Sequence, residues 1–80
     1  QLFPNPVSDQ MNLKIEGLPN GIARVQLINP LGQLVLTEKI QIQPGVNQLR
    51  MELPIDLPAG LYRIVVSAKG VIEQASFVKI

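Results

Sequence analysis

The side chains that could do chemistry in this chain are few, and their types exclude most of it. Histidine and cysteine are both absent. A Ser-His-Asp or Cys-His nucleophile therefore cannot be assembled, nor can a zinc site built on those ligands. The six carboxylates are Asp9, Glu16, Glu38, Glu52, Asp56 and Glu73. Two of them at a suitable separation could serve as the acid and base of a glycosidase. Most fall at outward positions of alternating segments or beside turns, where a solvated face accounts for them. Calcium needs several oxygen ligands clustered on one loop, and no loop here holds more than one acid. The glycines form no phosphate-cradling loop between a strand and a helix. The seven cations, Lys14, Arg24, Lys39, Arg50, Arg63, Lys69 and Lys79, are scattered singly, so no basic stripe forms. With aromatics at only 4 %, this argues against a nucleic-acid partner. No small-molecule substrate, metal or cofactor is expected, and the chain reads as something other than an enzyme.

The function must then lie in a surface, and a surface is positioned by a fold. Eighty residues make one domain spanning 1–80, a size that buries only about 60 % of its unfolded surface. Without cysteine, no disulfide can supplement that core. The net charge of +1 is close to neutral. No apolar run approaches the roughly 20 residues needed to span a bilayer, and no signal-peptide pattern opens the chain. The start at Gln1, without methionine, reads as a domain excised from a longer protein.

The stretch that organises the rest is Leu57-Pro58-Ala59-Gly60-Leu61-Tyr62-Arg63-Ile64-Val65-Val66-Ser67. Pro58 and Gly60 make a tight corner, Gly60 being the natural occupant of a positive φ. After the corner, Tyr62, Ile64, Val66 and Ala68 share one strand face, and Leu61, Arg63, Val65 and Ser67 the other. Apolar residues on both faces predict a central strand. Tyr62 would bury its ring and need a partner for its hydroxyl.

Along the chain, Leu2 to Asp9 is broken by Pro4 and Pro6, which predicts an edge segment or an extended lead-in. Asn5, Ser8 and Asp9 can each bond nearby backbone N–H groups and lock a turn. Gln10 to Glu16 alternates, with Met11, Leu13 and Ile15 inward. Pro19-Asn20-Gly21 is the strongest hairpin signal, since Asn-Gly suits the paired positive φ of a type I′ turn. Ile22 to Ile28 follows, with Val25 and Leu27 on one face. Asn29-Pro30-Leu31-Gly32 matches the residue preferences of a type I turn. Leu34 to Ile40 is apolar on both faces, so its inward set stays unassigned; a bulge or a two-sided environment would explain it. Pro44-Gly45 turns the chain, and Leu49, Met51 and Leu53 mark another one-sided strand. Pro54 to Leu57 is a short crossing into the corner. Lys69-Gly70 makes a tight turn into a last strand, Val71 to Lys79, with Ala75 and Phe77 on one face and Ile72 and Val78 on the other. No stretch holds a helical period. About seven short strands with closely spaced turn signals predict an all-β, immunoglobulin-like antiparallel sandwich of two sheets. Its expected core is Met11, Leu13, Ile15, Val25, Leu27, Leu49, Met51, Leu53, Tyr62, Ile64 and Val66.

Three pieces in this order carry a resemblance. They are Phe3-Pro4-Asn5-Pro6-Val7-Ser8-Asp9 near the start, Pro58-Ala59-Gly60-Leu61-Tyr62 before the central strand, and Phe77-Val78-Lys79-Ile80 at the end. Val25 to Val35, with Gly32 in its turn, matches a strand–turn–Gly–strand unit between them. Together they resemble the type A C-terminal sorting domain of the type IX secretion system of bacteroidete bacteria (the Por secretion system). Each motif alone is common; the ordered set is specific and covers essentially the whole chain. The departures are Pro30 in the middle turn and a single lysine at the finish.

The resemblance implies a signal at the C-terminus of a secreted enzyme or adhesin. Such a passenger enters the periplasm by a separate N-terminal signal. The sorting domain then directs it across the outer membrane through the type IX translocon, and a surface sortase usually removes the domain. The passenger is released or linked to an anionic lipopolysaccharide. A cysteine-free module suits folding in an oxidising periplasm. The residues carried over as sorting-motif candidates are Pro4, Asn5, Pro6, Gly32, Gly60, Tyr62, Phe77, Val78 and Lys79. The competing reading is an immunoglobulin-like spacer or carbohydrate-binding adhesion module of an extracellular enzyme. Sugar-binding sandwiches display exposed aromatics for stacking, whereas Phe3, Tyr62 and Phe77 are expected at core or edge positions. A sorting domain would end its protein at Ile80, whereas a spacer would continue.

Overall fold

A computed structural model describes residues 1–7 and 9–80, with Val7 placed by its backbone. It contains seven strands. They are β1 (Leu2–Val7), β2 (Gln10–Ile15), β3 (Gly21–Ile28), β4 (Leu34–Ile42), β5 (Asn47–Glu52), β6 (Gly60–Ala68) and β7 (Val71–Lys79). One sheet has the order β1-β2-β5 and the other β4-β3-β6-β7. All neighbouring strands are antiparallel. The chain crosses between sheets after β2, β4 and β5, the arrangement of a seven-stranded immunoglobulin-like sandwich. β1 is an edge strand, where its two prolines cost no central ladder bond. The expectation for Ser8 lies outside the described residues. Asn5 stands within β1, opposite Asn12, rather than in a turn.

Alternation places the core between the sheets. Met11, Leu13, Ile15, Val25, Leu27, Met51, Leu53, Tyr62, Ile64 and Val66 are all buried, as their spacing requires. Each is worth about 1.5–3 kcal/mol of apolar burial for the larger side chains. Leu49 is only half-buried and packs against the edge of the core, because β5 itself is the edge of the smaller sheet. Leu2, Leu18, Ala23, Ile42, Leu57, Ala68 and Phe77 complete the core. Of these, Leu18 and Leu57 lie in crossings between sheets, where no periodicity marks an inward residue.

The β6 strand is central, flanked by β3 and β7. Only its Tyr62 face is buried; Leu61 and Arg63 on the other face are exposed, so the sheet is covered on one side. The two-sided pattern of Leu34 to Ile40 comes from a bulge. Leu27 pairs with Leu36 and Ile28 with Leu34, leaving Val35 as the extra residue in β4. An inserted residue reverses the inward set partway along a strand.

The Asn20-Gly21 expectation is overturned. β2 and β3 belong to different sheets, so no hairpin joins them. Asn20 is not among the residues with positive φ, which a type I′ turn needs at both positions. The stretch from Glu16 instead carries the chain across the core edge and buries Leu18. The type I′ geometry falls at Lys69 (φ 48°) and Gly70 (φ 81°). There Ala68 pairs directly with Val71 across a two-residue loop.

Candidate functional site

Tyr62 is 1 % exposed and its hydroxyl donates to the Pro58 carbonyl, 2.5 Å away. A tyrosine that bonds back to its own corner at the start of this strand is a recurrent lock of immunoglobulin-like sandwiches. The buried hydroxyl is thereby satisfied, and the corner is tied to the core. Tyr62 also pairs with Phe77 across β6 and β7, their rings stacked at 5.7 Å between centroids and 19° between planes. Register then places Leu61 opposite Val78 and Gly60 opposite Lys79.

Gly60 has φ 154°, a conformation that disfavours any side chain. A Cβ there would stand 2.9 Å from Cγ of Pro30. The β3–β4 turn thus packs directly onto the corner, and Pro30 is the residue in contact. That turn is held by its own asparagine. Asn29 Oδ1 accepts from the Leu31 and Gln33 backbone nitrogens at 3.0 and 2.9 Å. The Gly32 N–H donates to the Asn29 carbonyl at 2.9 Å, the i to i+3 bond expected of the turn.

Six of the nine candidate positions therefore meet at one end of the larger sheet: Gly32 in the turn, Gly60 and Tyr62 at the corner, and Phe77, Val78 and Lys79 beside it. Tyr62 and Phe77 are buried, so neither presents its ring to solvent. Val78 is exposed and Lys79 half-buried. Pro4, Asn5 and Pro6 lie in the other sheet, on β1, which runs against β7. The end of the larger sheet also carries Leu31, Leu34, Leu61 and Ile80 as exposed aliphatics. Sequence patterning missed this cluster, because it is assembled from a turn, a strand start and a strand end. Its readable signals were the outward apolar residues Leu61 of β6 and Val78 of β7.

Phe3 occupies an edge strand, as expected, but is 44 % exposed on the outer face of the smaller sheet. Lys14 Nζ lies over its ring at 5.2 Å. The cation covers one face of the ring. Among the described residues no group of three or more acidic, histidine or cysteine side chains is placed to hold a metal.

No curated protein matches the chain. The family described as a secretion system C-terminal sorting domain matches residues 1–79. The motif pieces, the two-sheet sandwich and this match over essentially the whole length agree, and the chain belongs to the C-terminal sorting domains of type IX secretion.

Proposed function

We propose that this domain exports a passenger attached ahead of Gln1 by presenting the corner end of its larger sheet to the type IX machinery. A surface sortase then separates domain and passenger. The observation that carries the reading is the exposed aliphatic cluster held beside the Tyr62–Phe77 stack. Leu61 and Val78 are 58 % and 59 % exposed and sit directly opposite each other. A contiguous apolar patch on a small domain marks a contact surface. The buried tyrosine lock and the Asn29-capped turn fix its shape before a partner arrives, which lowers the cost of binding.

The test measures folding and export on the same variants. Val78→Ser and Lys79→Glu leave the core untouched and should change stability by about 0.5–1 kcal/mol at most. Each should reduce surface delivery of a reporter fused ahead of Gln1. Removal of Lys79 and Ile80 together should abolish delivery while the circular-dichroism spectrum stays β. Normal export of all three folded variants would move recognition to another part of the sandwich.

A further inference from the structure

Three of the seven cations scattered along the sequence come together in space. On the outer face of the larger sheet the outward residues are Leu34, Thr37, Lys39 and Gln41 of β4, and Ile22, Arg24, Gln26 and Ile28 of β3. β6 adds Leu61, Arg63, Val65 and Ser67, and β7 adds Ile72, Gln74, Ser76 and Val78. None is acidic, and all six carboxylates lie on other surfaces. Cations that stand singly in the sequence are thus brought onto one face by the register.

At the end of this face away from the corner, Arg24, Lys39 and Lys69 line one shallow depression together with Ser67. Arg24 and Lys39 are direct cross-strand partners. Like charges placed so repel, and sheet stability alone gives no reason for the pairing. From its positive-φ turn, Lys69 lies back over Gly21. A Cβ on Gly21 would come within 3.1 Å of Lys69 Cε, so the lysine stem lies close over the glycine. Ile22 and Ile72, both 62 % exposed, flank the depression.

We propose that this face docks on an anionic lipid surface, with Arg24, Lys39 and Lys69 meeting headgroup phosphates and Ile22 and Ile72 entering the interface. Charge complementarity selects an anionic partner, and the exposed isoleucines select among anionic partners. A lipid interface accepts a cation and an aliphatic side chain side by side. An acidic peptide would engage the cations and leave both isoleucines in water. The inference does not depend on which patch the export machinery reads.

The test is co-sedimentation of the 80-residue chain with vesicles of phosphatidylglycerol and phosphatidylcholine, against phosphatidylcholine alone. Binding should require phosphatidylglycerol and weaken as salt is raised. Each cation removed should lower partitioning roughly fivefold, so Arg24→Gln with Lys39→Gln should lose most of it. Lys69→Asn removes the third charge with a residue that tolerates the turn, and tests the site even if the double variant unfolds. Lys14→Gln with Arg50→Gln removes the same charge from the other sheet and should have little effect. Equal loss from both pairs, no preference for phosphatidylglycerol, or tighter binding of a glutamate-rich peptide than of vesicles would each overturn the proposal.

Discussion

At the scale of single residues, two contacts govern the corner. The Tyr62 hydroxyl satisfies the Pro58 carbonyl, so Tyr62→Phe should cost about 1–3 kcal/mol by leaving that acceptor without its donor. Chemical denaturation with an unchanged m-value checks this, and a wild-type midpoint would show that water replaces the bond. Gly60 carries two separable constraints, its φ of 154° and the close approach of Pro30. Gly60→Ala should cost about 1–3 kcal/mol. In a Pro30→Ala background part of that cost should return, with a coupling energy of about 0.5 kcal/mol or more. Strict additivity would assign the whole cost to backbone strain. Asn5, Pro4 and Pro6 show the limit of motif reading at this scale. Pro4 and Pro6 point to an edge or a lead-in and Asn5 to a turn, and nothing in the three says which strand of the other sheet they lie against.

At the scale of elements, the turns divide into those written locally and those decided by the partner strand. Asn29-Pro30-Leu31-Gly32 was legible because its bonds close within five residues, through the Asn29 side chain. Asn20-Gly21 has equally strong local chemistry and forms no hairpin, because β3 pairs with β6 and β4 instead of β2. The paired positive φ sits at Lys69-Gly70, and a lysine pays strain there that asparagine tolerates better. Lys69→Asn should therefore raise the melting temperature by a few degrees, corresponding to about 0.5–1 kcal/mol. An unchanged or lower value would show that Lys69 contributes packing over Gly21 that offsets its strain.

At the scale of the whole molecule, stability rests on one layer of apolar side chains between two small sheets. Met51 and Leu13 come from neighbouring strands of the smaller sheet and are both fully buried. Met51→Ala or Leu13→Ala should each cost about 2–5 kcal/mol. A domain of this length commands only about 5–10 kcal/mol in total. Either variant should therefore shift the urea midpoint far toward unfolding, and wild-type midpoints in both would refute the core assignment. The same division into inner and outer faces segregates charge. A net charge of +1 conceals an outer face with cations and no carboxylate, since Glu38 and Glu73 fall on the inward rows of β4 and β7 at the sheet edges.

The all-β class, the alternation that fills the core, the central place of β6 and the need of Tyr62 for a hydroxyl partner were legible in the order of residues. These follow from period-two patterning and from turn chemistry, both of which act over a few residues. The folded arrangement settled which strands share a sheet, where the bulge at Val35 falls, and that Pro30 meets Gly60. It also decided that Arg24, Lys39 and Lys69 line one depression. Each of these is a contact between residues distant in sequence, set by register across strands, and a one-residue change of register would send every such side chain to the opposite face.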